Sequence, residues 1–192
     1  MKSFIYQLAV IALSVSPTHS NKFLNVIKAS QDASLRRDRW DENFGHSKQL
    51  TVTPEDARSA RVAVMKFDTS HVNAEDVDGA LLLLRLFITD SSATPDSSNT
   101  VSIARINDDF NEHHVSWDSF HYDVSDEWIE FDVHHDHQGK TGQVDISSLF
   151  VPGEDLKIAI HMKETGHVKF ASKEHNDTNN HPKLIFMESE EL

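Results

Sequence analysis

Residues 101–117 constrain the fold of this chain more than any other segment. Apolar and polar side chains alternate over 101–106, acidic residues follow, and a second short segment ends on Trp117. A period of two is typical of a strand, whereas a helix repeats about every 3.6 residues. The segment therefore predicts a strand, an acidic turn and a second strand at 115–117, placed at the edge of a β-sandwich and carrying no catalytic motif.

Similar alternating segments recur along the chain, with polar loops between them. Eight or so short strands without a repeat or linker predict an all-β antiparallel β-sandwich of jelly-roll type, with one domain over residues 21–192. Residues 144–150 fit either a short strand or a single helical turn. The predicted strands are 61–67, 80–88, 101–106, 115–117, 128–133, 156–162, 168–171 and 184–187.

The alternation also predicts which side chains meet the core. Trp128 faces away from the core in its strand, and so do Lys157, Ala159 and His161 in theirs. The predicted inward side chains of these two strands are Ile129, Phe131, Val133, Leu156, Ile158, Ile160 and Met162.

The first 20 residues predict a secretory signal peptide. Lys2 precedes an apolar run at 4–15, and a segment with small residues follows and ends at Ser20. Cleavage is expected after Ser20, with cleavage after Ser16 as the alternative. The run is too short to span a bilayer, which needs about 20 apolar residues. The predicted location is therefore extracellular. The C-terminal Ser-Glu-Glu-Leu at 189–192 loosely resembles an ER-retention signal, and retention is the minor alternative.

Composition narrows the classes of partner. The chain has no cysteine, so disulfides, thiolate chemistry and a cysteine zinc site are excluded. Its formal net charge of −13 disfavours nucleic acid and anionic membranes and suits divalent cations such as calcium. Solubility alone is the alternative reason for this acidity.

Several short motifs follow one another in an order that is fairly specific. The order resembles carbohydrate-binding module family 96, also called the DNRLRE domain. The matching motifs are Asn-Phe-Gly at 43–45 before Leu-Thr-Val at 50–52, Lys-Phe-Asp at 66–68, the Leu-rich strand at 82–87, residues 109–117, Phe-Asp-Val at 131–133, and 170–174 followed by Pro-Lys-Leu at 182–184.

The resemblance implies a β-sandwich that binds polysaccharide without catalysis, including the uronic-acid polymer alginate in characterised members. Lys66 and Lys173 stand where the family has Arg, and Phe110 stands where Trp is usual. Lysine keeps the charge but lacks the planar fork that holds a carboxylate through two hydrogen bonds.

Basic residues in or beside the predicted strands are candidates for binding such a polyanion, because each uronate carries a carboxylate. Ion pairing on the protein surface is the alternative role. Lys157 and Lys169 are further cations of this kind. Trp40, in a charged loop, is the candidate for stacking on a sugar ring, whereas Trp117 is expected in the core and Trp128 at the surface. The candidate ligand-binding residues are Arg36, Arg37, Arg39, Trp40, Arg61, Lys66, Arg85 and Lys173.

Three further kinds of site are suggested. Asp108, Asp109 and Glu112 form the candidate calcium site, with turn hydrogen bonding as the alternative role. Asn176 begins the one N-glycosylation pattern of the chain. The candidate transition-metal ligands are His113, His114, His121, His134, His135 and His137, although adjacent histidines of one strand point to opposite faces.

Three hypotheses follow. The first is a secreted, non-catalytic protein that binds an acidic polysaccharide. The second is a structural protein of a cell wall or extracellular matrix. The third is a polysaccharide lyase, for which Tyr122 beside His121 would be the candidate base. Hydrolysis by paired carboxylates is unconstrained, since the chain has 31 acidic residues.

Overall fold

Two antiparallel sheets make up the computed structural model, which describes residues 23–73, 77–88, 98–120, 123–163 and 166–188. The predicted signal peptide, His121, Tyr122 and the tail at 189–192 lie outside these residues. In the middle strand 77–88 the backbone is described, but the side chains of 81–88 are not. The strands are β1 (Phe23–Lys28), β2 (Gln31–Arg36), β3 (Gln49–Val52), β4 (Arg61–Phe67), β5 (Val77–Ile88), β6 (Ser98–Ile106), β7 (Val124–His134), β8 (Thr141–Asp145), β9 (Leu156–Met162), β10 (Val168–Ala171) and β11 (Lys183–Glu188).

The first sheet has the order β1-β11-β5-β10-β3, with β8 also paired to β5, and the second has the order β2-β4-β9-β6-β7. Both sheets send apolar side chains into one shared core, so the predicted all-β antiparallel sandwich is confirmed. The inward side chains predicted for β7 and β9 lie in or against this core. Residues 144–150 contain both alternatives, the end of β8 and a 3₁₀ turn at Ser147–Leu149.

A second, smaller apolar cluster lies on the outer face of the second sheet. Residues 107–120, here called the covering loop, bring Phe110, Val115 and Phe120 onto Val62 and Val64 of β4. This cluster explains why β4 is apolar on both faces, with Ala63, Met65 and Phe67 turned to the main core. Trp117 packs against the second cluster, not the main one.

The prediction of a strand at 115–117 was wrong, and so was the edge position of the segment. β6 pairs with both β7 and β9 and is therefore an interior strand. The covering loop follows it as a series of turns, in which the Val115 amide donates to the Asn111 carbonyl at 2.8 Å. Val115 is buried in the loop's own cluster, so its apolar character reflects packing and not strand formation.

Asn43 and Gly45 hold the covering loop in place. The Asn43 side-chain amide donates to the carbonyls of Glu112 at 2.6 Å and Val115 at 2.7 Å. Gly45 lies so close that a Cβ added there would be 2.1 Å from the Glu112 carbonyl oxygen. In the Asn-Phe-Gly motif, Asn43 therefore satisfies backbone carbonyls of a loop that has no sheet partners, and Gly45 lets the two backbones pack closely.

Two features of the strands differ from the sequence-based expectation. Ala159 and His161 of β9 do face outward, but the outer face is covered there and both are buried. Strands β1 and β2 were missed. In β2 the buried side chains include Asp32 and Ser34, so the polar sequence concealed this edge strand of the second sheet.

Candidate functional site

An open groove of about 530 Å³ lies at the edge of the sandwich, between the β3–β4 connection and the start of β10. Its lining combines cationic, hydroxyl and imidazole groups with one carboxylate. We call it the basic groove, and its lining residues are Thr51, Thr53, Pro54, Asp56, Ala57, Ser59, Arg61, Gly166, His167 and Lys169.

Backbone pairing positions both walls of the basic groove. Lys169 on β10 lies directly opposite Thr51 on β3, so the ammonium and hydroxyl groups share one face of the first sheet. The chain then crosses to the second sheet, where the Thr53 amide donates to the Arg61 carbonyl at 3.1 Å. The Thr53 hydroxyl donates to the Ser59 carbonyl at 3.0 Å, which closes the turn between them.

Arg61 is the most constrained cation of the groove. Its Nε is buried and has no hydrogen-bond partner among the described residues. Burial lowers the pKa of Arg61, and repulsion from Arg36 lowers it further, although a guanidinium stays charged under all ordinary conditions. Within the described part of the chain, Lys169 forms no ion pair of 4 Å or less. The groove thus offers two cationic groups to an anion from solution.

The predicted cluster Arg36, Arg37 and Arg39 lies beside the basic groove, and carboxylates of the same chain already pair with Arg36 and Arg39. Arg36 donates to both carboxylate oxygens of Asp38, at 3.2 and 2.8 Å. Arg39 is 3.1 Å from a carboxylate oxygen of Glu42. Arg37 donates to the backbone carbonyl of Glu55 at 3.5 Å. The cluster adds positive potential to one end of the groove.

The structure places Lys66 far along β4 from Arg61, in ion pairs with Asp109 at 2.9 Å and Asp155 at 3.5 Å. The hydrogen bond that Lys66 donates to Asp109 raises the pKa of Lys66, and the same bond lowers the pKa of Asp109. Lys66 thereby ties the covering loop to the second sheet and lies outside the basic groove.

Lys173 has a comparable role at a second acidic residue of the covering loop, Glu112. Its Nζ is 2.9 Å from Glu112 and 2.6 Å from Glu174. Burial alone would lower the pKa of Lys173, but the hydrogen bonds to Glu174 and Glu112 outweigh it and the net shift is upward. The structure thus separates both lysines from Arg61, with which they were grouped as sugar-binding candidates.

The remaining predicted residues are dispersed. Trp40 is 54% exposed in the loop after β2 and does not line the groove. The backbone of Arg85 pairs with Thr141, and its side chain lies outside the described part of the structure. Asn176 is exposed in the turn before the 3₁₀ helix Thr178–Asn180.

The acidic residues of the covering loop are divided between different lysines. Asp109 pairs with Lys66, whereas Glu112 pairs with Lys173 and accepts a hydrogen bond from the Asp32 amide at 3.1 Å. Among the described residues, no three His, Asp or Glu side chains are placed to share a metal ion. Calcium binding at Asp108, Asp109 and Glu112 gains no support from this arrangement and stays a prediction.

Sequence reasoning did not single out Lys169, Thr51, Thr53, Ser59 or His167 as one site. The residues of the groove come from two segments more than 100 positions apart, and only the β3–β10 pairing joins them. The alternation of residues 168–171 did carry a usable signal, because it placed Lys169 on the side opposite Val168 and Phe170.

Fold and groove together define a β-sandwich binding module. The model of carbohydrate-binding module family 96 matches residues 24–188. The chain belongs to this family, which supports a carbohydrate-binding role and a non-catalytic binding domain. A search of curated proteins returned no match. Within the described residues, no helix has the length and apolar character needed to cross a membrane.

Proposed function

We propose that this protein is a secreted, non-catalytic module that binds an acidic polysaccharide, with uronate residues held in the basic groove. The observation that carries the proposal is that two cationic side chains, Arg61 and Lys169, line the same open groove. A uronate carboxylate accepts charge-assisted hydrogen bonds, and the Arg61 guanidinium and Lys169 ammonium that line the groove are donors for them.

The rest of the groove suits the hydroxyl groups of a sugar. Thr51, Thr53 and Ser59 supply hydroxyls, while His167 and Asp56 supply further polar groups. A volume of about 530 Å³ lies within the usual range of roughly 300–1,000 Å³ for ligand sites. An open groove can hold part of a long polymer whose ends extend into solvent. This shape favours binding over catalysis in an enclosed site.

The charge of the whole chain sets how such binding should behave. A net charge of −13 repels a polyanion at long range, so attraction is confined to the groove and its flanking arginines. Since the attraction is local and ionic, affinity should fall as salt increases.

Calorimetry on the mature protein tests the proposal. Oligouronates should bind, neutral glucan oligomers of equal length should bind far less, and affinity for the uronates should drop by at least about tenfold between roughly 0.02 and 0.5 M salt. Equal affinity for neutral and acidic oligomers would contradict the uronate specificity, and no heat with any glycan would contradict the function. New ultraviolet absorbance from unsaturated products would identify a lyase instead.

A further inference from the structure

Trp128 presents its indole on the outer face of the second sheet, on the edge strand β7. The side chain is 38% exposed, whereas Phe131 and Val133 on the opposite face are buried in the core. The indole meets the imidazole of His161 edge-on, with ring centroids 5.0 Å apart and planes at 76°. Trp128 is therefore an exposed aromatic ring in contact with a buried one.

His161 connects this ring to the basic groove. It is only 2% exposed, and its Nδ1 is hydrogen-bonded to a carboxylate oxygen of Glu55. This bond lowers the pKa of Glu55. Glu55 lies in the same turn as Pro54 and Asp56, which line the groove. A chain of side-chain contacts thus links the turn that lines the groove to Trp128, through Glu55 and the buried His161.

The face of β7 that carries the indole also carries charged side chains. Glu130, two residues along β7, points to the same side and lies 2.6 Å from Lys163. Asp132, the next on that side, accepts a hydrogen bond from Thr100 at 2.8 Å. A single indole among charges offers far less apolar area than a stable protein interface, which buries about 1,200 Å² or more. It does suit a sugar, which combines a C–H face with hydroxyls.

We propose that Trp128 forms a second subsite for the polysaccharide bound in the basic groove, stacking on the pyranose ring of a residue that extends past Glu55. This inference rests on the proposed function. Stacking uses the C–H face of the ring, so the subsite takes a sugar unit whether or not that unit carries a carboxylate. A second subsite makes the affinity depend on the length of the oligosaccharide.

Oligouronates of graded length test the subsite. Disaccharides should bind wild-type protein and the Trp128→Ala variant equally, because they occupy the groove alone. Oligomers long enough to span both subsites should bind the variant about tenfold more weakly, in line with the value of an aromatic contact. Trp40→Ala is the matched control, since it removes another exposed indole and should leave every affinity unchanged.

Nuclear magnetic resonance provides an independent measurement. The indole N–H signal of Trp128, assigned with Trp128→Phe, should shift with long oligomers and stay in place with disaccharides. Equal affinities of wild type and Trp128→Ala at every length would overturn the subsite while leaving the groove intact. Equal weakening at every length would also overturn it, and wild type that binds no uronate would overturn the proposed function itself. Circular dichroism and thermal unfolding confirm that each variant is folded.

Discussion

Arg36 and Arg61 lie directly opposite each other on the neighbouring strands β2 and β4. Like charges in this position destabilise a sheet, and the Asp38 carboxylate that pairs with Arg36 offsets only part of the repulsion. The same hydrogen bonds from Arg36 lower the pKa of Asp38. The sheet thus keeps Arg61 at a position that is unfavourable for stability, beside the open groove that it lines.

Replacing the groove cations should separate binding from stability. Arg61→Gln and Lys169→Gln should each weaken oligouronate binding by about tenfold, because each removes one charged donor to a carboxylate. Arg61→Gln should leave the melting temperature unchanged or slightly higher, since it relieves the repulsion from Arg36. Calorimetry and thermal unfolding measure the two effects. Lys140→Gln, an exposed lysine outside the groove and its flanking cluster, is the control, and equal weakening by all three variants would point to the overall charge instead.

Asp32 should make the stability of the protein fall as pH rises. Burial raises its pKa to about 7, against the lowering effects of the Lys173 amide and charge, while Glu112 and Glu174 add to the increase. One of its oxygens, Oδ1, has no hydrogen-bond partner among the described residues. The folded state therefore retains a proton that the unfolded chain releases above its ordinary pKa near 3.8. The stability that the protonated Asp32 carboxyl contributes is fully present below about pH 3.8 and is lost as pH rises through about 7.

Asp32→Asn tests this contribution. The variant keeps an oxygen for the Lys173 amide, which donates to Asp32 at 2.6 Å. Its free energy of unfolding should vary less than that of wild type between about pH 4 and 8, and near pH 8 it should be the more stable protein. Urea unfolding across this range measures the difference. Parallel pH profiles for the two proteins would show that Asp32 is not the titrating group.

Lys173→Met should destabilise the fold without abolishing sugar binding. The change leaves Glu112, whose side chain is 7% exposed, without its cation at 2.9 Å. Losing one partner of a buried pair is costly, and the partial exposure of Lys173 reduces the expected loss to about 1–3 kcal/mol. Urea unfolding measures the loss, and calorimetry at a temperature where the variant is folded measures affinity. A variant that is as stable as wild type but no longer binds uronate would show that Lys173 has a binding role instead of a structural one.

Asn43 and Gly45 should act as one unit in holding the covering loop. Gly45→Ala forces a Cβ against the Glu112 carbonyl, and Asn43→Ala removes two hydrogen bonds to loop carbonyls. Each substitution should cost about 1–3 kcal/mol. Because both act on the same loop, the double variant should lose less than the sum. Strictly additive losses in urea unfolding would mean that the two residues act independently.

Asn176 should be glycosylated when the chain is expressed through a eukaryotic secretory pathway. The side chain is exposed, and Thr178 completes the acceptor pattern. Mass spectrometry of the secreted protein should show a glycan that Thr178→Ala removes and the conservative Thr178→Ser retains. Secreted wild-type protein with an unmodified Asn176 would contradict the prediction.

Local pattern accounts for much of the fold. The limits of β9 and β10 agree with the alternating segments, because strands that pack on a core must alternate whatever their partners, and the limits of β4 agree although it is apolar on both faces. The inward side chains of β7 and β9 follow for the same reason. Where the outer face is also covered, alternation no longer reports exposure, and His161 shows this clearly.

The amino-acid sequence by itself determined the two-sheet class, the family motif order and the supply of cations on strands, since each depends on residue type at short range. Only the tertiary structure decided which cations are available. It sends Lys66 and Lys173 to carboxylates of the covering loop, and it brings Arg61 and Lys169 together at the edge of the sandwich. The physical reason is that charge availability depends on partners distant in sequence, and strand pairing, not local pattern, selects those partners.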